Sequence, residues 1–380
     1  MLAGFLNRMQ RRAMRFPRFS TLAIVLLIAS PASAQQKARL VEVLRFGGDA
    51  EGPASVASVR ALAVKDDGSI FVVDAKPLQL KGFSSDGKYL RDIGRWGAGP
   101  GEYKDVSYLT VNRAGNVVLL DLELRRLVVF TPDGRHVSTS QVSGLSCCRL
   151  DGVVTADGTI LSEASVRDKG GKLRDVIVRI RNYGRITDTL PFPTCGNANP
   201  TTPRYARLKT EQGWMGYAIP FVSQPVHAIA GDETIWCTPG HQFSVQHFAA
   251  GSINAMHHVQ RPIQPTPLTS QDRTRAANGV KNATLEDGTP ITSAHLPKTY
   301  PVIDRMMVDY DNRLWIVRGG PRGAAPSFEV LDRTGRGLYS IGTDLRWLGI
   351  PHARGAFVYG VALDDDDVSH IIKARIEPIR

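Results

Sequence analysis

One segment of the chain repeats itself after 47 residues, and this repeat limits the possible folds more than any other feature of the sequence. The first copy covers residues 62–88 and the second covers residues 109–135. Each copy holds an apolar run that ends in an aspartate, at Asp74 and Asp121, and then continues to a phenylalanine and a residue pair, Asp-Gly. Several short strands in a unit of this length are typical of one blade of a β-propeller.

Weaker copies of the same pattern continue along the chain. They cover residues 147–192, 222–260 and 301–343, and a shorter sixth unit covers residues 356–376. The sixth unit lacks a fourth strand, which the apolar segment at residues 39–46 could supply. A ring must pair its last blade with its first or leave an unpaired strand edge. We therefore predict an all-β protein, a six-bladed β-propeller whose N-terminal strand closes the last blade.

Turn residues mark the ends of the predicted strands. The pairs Asp67-Gly68, Asp86-Gly87 and Asp133-Gly134 lie between apolar runs. Asp-Gly is typical of a tight hairpin turn, because glycine adopts positive φ without steric cost. We interpret these aspartates as turn residues rather than as catalytic carboxylates.

The N-terminus has the pattern of a signal peptide. Five arginines precede a short apolar segment at residues 22–29, and Ala32-Ser33-Ala34 forms an A-x-A cleavage site. We predict a signal peptide over residues 1–34, a propeller over residues 35–380, and export to the periplasm or beyond the cell. An uncleaved anchor is the alternative, although the apolar segment is shorter than the 20 or so residues of a membrane span. No stable membrane span is expected after cleavage.

The charge of the mature chain excludes one class of partner. The net charge is +11, and removal of residues 1–34, which carry five arginines and no acidic residue, lowers it to +6. The remaining lysines and arginines are scattered rather than clustered in a basic stripe. Nucleic acid is therefore not an expected partner.

Four cysteines in an exported chain suggest disulfides. They are Cys147, Cys148, Cys195 and Cys237, and they allow three pairings. Adjacent residues on a strand point to opposite faces, so a bridge between the first two would be strained. We expect one or two long-range bridges between the middle blades, with free buried thiols as the alternative.

Two segments interrupt the blade period and are read as insertions. Residues 193–221 are rich in proline, threonine and aromatic residues, and residues 261–300 begin with three prolines. The second segment contains a predicted helix from Ser270 to Val280, capped by Thr269 or Ser270. Insertions between repeats commonly project from one face and line a binding site, although they can also be solvated loops.

A glycine-rich segment at residues 93–103 leads into the second repeat. Together with Gly115-Asn116 and the apolar run that follows, it resembles NHL repeats, in the form found in exported bacterial six-bladed propellers of the NHL or TolB-like kind. This resemblance is strongest over residues 44–137 and implies a six-bladed propeller. Relatives of this kind include binding modules, sensor domains and some lyases and hydrolases. The metal-binding histidines and the catalytic tyrosine and arginine of the lyases do not align position by position with this sequence, so their roles are not carried over.

The innermost strands of a propeller direct side chains towards a central channel. Offsets of 47, 165 and 244 residues align Ala61 with Tyr108, Val226 and Arg305. Polar or aromatic residues near the predicted strand starts form a candidate ligand-binding set at the channel mouth: Arg60, Tyr108, His227, Arg305 and Tyr359. The alternative is that each of them satisfies backbone carbonyls and water inside the channel.

Two functions fit these features. The first is a binding or interaction module for an unknown protein, a peptide or a small polar ligand. The second is a lyase or hydrolase at the same channel, assisted by a metal such as Ca²⁺ or Zn²⁺. No established catalytic motif is present, and the cofactor stays open. The acidic run from Asp364 to Asp367 could attract Ca²⁺, although such a run is more often a solvated turn.

Overall fold

Strands make up most of the protein in the computed structural model. The first strand, β1 (Gln36–Gly47), belongs to the last blade of a ring. The structure describes residues 35–48, 51–112, 114–142, 152–155, 159–167, 170–171, 173–181, 185–195, 205–211, 213–321 and 324–379. Within these residues no helix is both long enough and apolar enough to cross a lipid bilayer.

The first three blades follow one another, and each is a four-stranded antiparallel sheet. Blade 1 holds β2 (Val59–Val64), β3 (Ile70–Ala75), β4 (Leu78–Phe83) and β5 (Tyr89–Ile93). A short parallel pair follows, β6 (Arg95–Trp96) and β7 (Glu102–Tyr103). Blade 2 holds β8 (Val106–Val111), β9 (Val117–Asp121), β10 (Arg126–Phe130) and β11 (His136–Gln141). Blade 3 holds β12 (Gly152–Val154), β13 (Ile160–Arg167), β14 (Leu173–Arg181) and β15 (Arg185–Pro191).

The second half of the chain adds three blades and two extra elements. A separate hairpin, β16 (Tyr205–Thr210) and β17 (Gly213–Ala218), precedes blade 4. Blade 4 holds β18 (Val226–Ile229), β19 (Ile235–Thr238), β20 (Phe243–Phe248) and β21 (Ala255–Arg261). The helix α1 (Ser270–Gly279) precedes blade 5, which holds β22 (Arg305–Val308), β23 (Leu314–Val317), β24 (Phe328–Leu331) and β25 (Gly337–Gly342). Blade 6 holds β26 (Arg346–Arg354), β27 (Phe357–Leu363), β28 (Ser369–Pro378) and β1.

The N-terminal strand closes the last blade, as the sequence predicts. β1 pairs antiparallel with β28, from Ala38 opposite Pro378 to Gly47 opposite His370. The start of β1 also pairs in parallel with β25 of blade 5, so both edges of this strand are occupied there. Because the first and last strands of the chain lie side by side, the ring has no open end.

Apolar clusters between the blades hold the ring together. Between blades 1 and 2, for example, Phe71 and Leu80 pack with Leu109 and Leu119. A corresponding cluster fills every other junction, including the one between blades 6 and 1. Strands such as β3 and β9 are buried on both faces, which explains their continuous apolar runs. The fold is therefore the predicted six-bladed β-propeller.

The aspartate that ends each repeated apolar run has a structural role. Asp74 is 1% exposed and accepts hydrogen bonds from the backbone N–H groups of Ala57, Ser58 and Lys76 at 3.0–3.2 Å. Asp121, its counterpart in blade 2, is fully buried and accepts equivalent bonds from the segments before β8 and after β9. Each aspartate thus fixes the loop that leads into the first strand of its own blade.

The sequence pattern does not reveal β26, the first strand of blade 6. Gly349 and Pro351 interrupt this strand, and its pairing with β27 shifts register between Leu348 and His352. A bulged strand has no regular alternation of apolar and polar residues, so it leaves no period-2 signal.

Candidate functional site

One end of the ring gathers most of the predicted site residues. Each blade has four antiparallel strands, so the chain enters every first strand from the same end of the ring. We call this the entrance end, and it holds the starts of β2, β8, β12, β18, β22 and β26. First strands of neighbouring blades lie against each other, as β2 does with β8 and β18 with β22. The starts of the first strands therefore lie next to one another around this end of the ring.

Strand pairing confirms the predicted alignment of the first strands. In blade 2, Tyr108 pairs with Leu120. In blade 1, Ala61 pairs with Val73, and each of these residues lies 47 positions before its counterpart in blade 2. In blade 4, Val226 pairs with Thr238, and both lie 165 residues after Ala61 and Val73. In blade 5, Arg305 pairs with Val317, and both lie 244 residues after Ala61 and Val73. These four first-strand positions stand at one level of the ring.

Arg60 and Arg305 lie at the entrance end, each beside a carboxylate. Arg60 forms an ion pair with Asp105, which precedes β8 in the next blade. Arg305 Nε lies 3.1 Å from Asp304 Oδ2. The two arginine side chains are 44% and 43% exposed, respectively. Ion pairs this open contribute at most about 1 kcal/mol, so a bound ligand can displace them.

The two predicted tyrosines are placed differently. Tyr108 is partly buried and packs in the cluster between blades 2 and 3. Tyr359, in β27, is only 3% exposed and packs between blades 6 and 1. A Cβ placed on Gly68, in the turn at the far end of β2, would lie 3.8 Å from the Tyr359 hydroxyl oxygen. Tyr359 therefore lies away from the entrance end and does not join the other four residues.

His227 has the most developed surroundings of the five. Its Nε2 lies 3.2 Å from Cys195 Sγ and 3.3 Å from the carbonyl oxygen of Pro193. Its Nδ1 lies 3.9 Å from Glu163 Oε1 of β13, and Phe192 packs edge-on against the ring. Burial lowers the pKa of the imidazole. The ring is therefore neutral at physiological pH, so one nitrogen can act as an acceptor or a metal ligand.

A disulfide joins Cys195 to Cys237 next to this histidine, with the Cα atoms 5.5 Å apart. It links the segment after blade 3 to β19 of blade 4, and it is thus a long-range bridge between middle blades. Cys147 and Cys148 lie outside the described residues, so their predicted pairing stays open. Sequence reasoning missed Glu163 and Pro193, because nothing in the one-dimensional pattern places them beside His227.

The two insertions pack together into one small unit, which we call the cap, made of the hairpin β16–β17, the helix α1 and residues 280–300. Arg207 bridges to Thr284, and Ala206, Ile219 and Val280 share a buried cluster with residues of the helix. The helix begins as predicted, with the Thr269 side chain accepting from the N–H of Asp272. Both insertions connect a fourth strand to the next first strand, so the cap stands at the entrance end.

The acidic run at residues 364–367 forms a turn between β27 and β28. Asp364 accepts hydrogen bonds from the backbone of Asp366 and Val368, and its Oδ2 lies 2.7 Å from His370 Nε2. Arg346 pairs with Asp367. The hydrogen bonds to Asp364 lower its pKa. Two of the four carboxylates are thus already engaged within the protein.

Among the described residues, a single group of three or more acidic, histidine or cysteine side chains could hold a metal ion. It comprises Cys195, His227 and Cys237, whose ligand atoms all lie within 4.8 Å of one another. In the structure the two sulfurs are joined as a disulfide.

Comparison with known proteins supports the fold. A family model described as a six-bladed β-propeller matches residues 55–153, which span blades 1 and 2 and the start of blade 3. A presumed exported protein from Bacteroides fragilis is similar in structure, with a TM-score of 0.50 and 13% sequence identity over 90% of this chain and 95% of that one. At this identity the likeness shows the fold alone.

Weaker structural likenesses extend to enzymes. A catalytically inactive virginiamycin B lyase from Staphylococcus aureus, solved with quinupristin, has a TM-score of 0.43 and 14% identity over 90% of this chain and 99% of that one. A gluconolactonase from Xanthomonas campestris has a TM-score of 0.37 and 15% identity over 92% and 99%, respectively. No curated protein sequence matches the chain significantly.

Proposed function

We propose that this protein is an exported binding module that seats a small polar ligand, or a peptide segment of a partner protein, at the entrance end of the ring. The cap is the observation that carries this proposal. It gathers both insertions at the end where Arg60, His227 and Arg305 lie. Loops mounted on a rigid repeat scaffold commonly form binding surfaces. The predicted signal peptide supports export, and the segment at residues 93–103 supports the finer NHL or TolB-like assignment.

The charges at the entrance end favour a ligand of low net charge. Arg60 and Arg305 each have a carboxylate neighbour, and His227 faces Glu163. A ligand that carries both donors and acceptors can replace both members of such a pair, whereas a polyanion would meet the carboxylates. Carbohydrates and peptides have this mixture of groups, and they are the ligand classes that we expect.

Binding to peptide and glycan arrays tests the proposal directly. We expect the wild-type protein to bind a limited set of spots and the double variant Arg60→Ser/Arg305→Ser to lose them. Loss of one hydrogen bond to a charged group weakens binding about tenfold or more. The matched control is Arg336→Ser, which removes an exposed arginine in the turn before β25, at the opposite end of the ring.

Two results would contradict the proposal. Equal binding by the wild type, the double variant and the control would show that the entrance end is not the site. Chemical conversion of a bound probe, detected by mass spectrometry after incubation, would instead favour the alternative function, a lyase or hydrolase at the channel.

A further inference from the structure

Further atoms that could bind a metal lie beside the disulfide between Cys195 and Cys237. His227 Nε2 lies 3.2 Å from the Cys195 sulfur. The Pro193 carbonyl oxygen lies 3.9 Å from that sulfur, 3.8 Å from the Cys237 sulfur and 3.3 Å from the imidazole nitrogen. Two sulfurs, one nitrogen and one oxygen thus form a compact group of four.

The spacing of these atoms is that of a tetrahedral metal site. Zinc binds sulfur at about 2.3 Å and imidazole nitrogen at about 2.0 Å, so tetrahedral angles put the two ligands about 3.5 Å apart. The observed separation of 3.2 Å between sulfur and nitrogen is close to this value, as is the 3.3 Å between nitrogen and carbonyl oxygen. The carbonyl oxygen lies 3.9 and 3.8 Å from the two sulfurs, somewhat beyond the tetrahedral edge of about 3.6 Å. The two sulfurs are covalently joined and would have to separate before an ion could bind.

The second shell also suits a metal. A ligating imidazole usually gives its other N–H to a carboxylate, which fixes the ring and its tautomer. Here Nδ1 of His227 lies 3.9 Å from Glu163 Oε1, longer than a hydrogen bond, so the carboxylate would have to move closer to take this role. Phe192 packs against the ring at a centroid distance of 4.3 Å. The two cysteines are 4% and 0% exposed, so a metal at this position would be shielded from bulk water.

We propose that reduction of the bridge between Cys195 and Cys237 opens a Zn²⁺ site, in which both thiolate sulfurs and His227 Nε2 bind the ion. The fourth tetrahedral position faces the carbonyl oxygen of Pro193. This inference shares His227 with the ligand site proposed for the entrance end, but metal binding and ligand binding are measured separately. In this proposal the disulfide is the metal-free state of the site, and its reduction produces the metal-binding state.

The chemistry balances with two partners. A dithiol reductant donates two electrons and two protons, so that its own sulfurs become a disulfide while Cys195 and Cys237 become thiols. Binding of Zn²⁺ then displaces the two thiol protons. A disulfide oxidant reverses the sequence, because it accepts the two electrons as the bridge re-forms and the ion leaves.

Cobalt spectroscopy of the purified protein is the first test. The bridge is reduced with a phosphine, which becomes its oxide, release of thiols is confirmed by a thiol reagent, and Co²⁺ is added without oxygen. We expect the visible bands of tetrahedral Co²⁺ and a thiolate-to-metal charge-transfer band, both saturating at one ion per chain and abolished by Zn²⁺. The oxidised protein should show neither. Absence of the bands after reduction, or equal bands before it, would overturn the proposal.

Variants then assign the ligands. The double variant Cys195→Ser/Cys237→Ser should lose the charge-transfer band, and the matched double variant Cys147→Ser/Cys148→Ser should keep it. His227→Ala should weaken Co²⁺ binding by about 100-fold or more, and Glu163→Gln by about tenfold. The assignment would be refuted if Cys195→Ser/Cys237→Ser kept the charge-transfer band and Cys147→Ser/Cys148→Ser lost it. Unchanged Co²⁺ affinity in His227→Ala would also refute it. Each of these results holds even if another variant fails to fold.

Discussion

At the scale of single residues, the most informative side chains are the buried aspartates that end the repeated runs. Asp74 holds three backbone N–H groups, and all three would lack an acceptor in Asp74→Ala. Hydrogen bonds to a charged group contribute about 1.5–3 kcal/mol each, although water can partly replace the lost acceptor at the exposed Ala57 and Lys76 N–H groups. We expect this variant to lower the free energy of unfolding by about 2–4 kcal/mol, measured by urea denaturation. The control is Asp67→Ala, an exposed turn residue in the same blade, which should cost clearly less; equal losses would contradict the argument.

A second buried side chain makes stability depend on pH. His247 of β20 is 3% exposed and stacks on Trp236, and burial lowers its pKa to about 4. The unfolded chain takes up a proton near pH 6.5, whereas the folded chain does so only near pH 4. The free energy of unfolding should therefore fall by about 2–3 kcal/mol between pH 7 and pH 4.

The variant His247→Phe isolates this contribution, because it keeps a stacked ring and removes the titrating group. Urea denaturation at several pH values should show a shallower loss of stability in the variant than in the wild type between pH 6.5 and pH 4. Any packing cost of the new ring appears as a difference in the free energy of unfolding at pH 7, where the histidine is largely neutral in the wild type. Identical slopes in the two proteins would show that His247 does not control this range.

At the scale of elements, the closing strand β1 is expected to contribute to the stability of the ring. Leu40 is 8% exposed and packs in the cluster between blades 5 and 6, whereas its neighbour Arg39 is exposed. Leu40→Ala leaves a cavity at the junction, and such changes cost about 2–5 kcal/mol. Arg39→Ala removes an exposed ion pair to Glu377 and should cost less than about 1 kcal/mol.

Thermal unfolding of the two β1 variants gives the comparison. A lower melting temperature in Leu40→Ala than in Arg39→Ala is the expected order. If both variants had the melting temperature of the wild type, packing of Leu40 at this junction would not contribute measurably to the stability of the ring.

Elements also show what the sequence could and could not predict. The blades with a clean 47-residue repeat were predictable because each strand there is regular and each turn has its own glycine. The bulged β26 was not predictable, since Gly349 and Pro351 remove the alternation. At the candidate site, the repeat offsets predicted that Tyr108 and Arg305 occupy equivalent positions in the first strands of their blades. The partners of His227 could not be predicted, because they come from a different blade and from an insertion that has no repeat.

At the scale of the whole molecule, the predicted signal peptide makes the precursor and the mature protein different molecules. The sequence has 380 residues and a net charge of +11, and the predicted cleavage after Ala34 would remove its five N-terminal arginines. Gln35, the first residue after that site, donates a hydrogen bond to the Tyr339 carbonyl of blade 5 and accepts one from Arg261 of blade 4. Cleavage at this position would therefore leave the closing strand and its contacts intact.

Intact-mass measurement of the exported protein tests this prediction. We expect a chain that begins at Gln35 outside the cytoplasm, because signal peptidases require small residues at the two alanine positions of an A-x-A site. Ala34→Asp should block cleavage and leave the precursor mass, whereas Ser33→Leu, which changes the tolerant middle position, should be processed like the wild type. An exported wild-type chain with its N-terminus intact would favour the uncleaved anchor. Processing of Ala34→Asp at the same bond would show that the A-x-A site does not direct cleavage.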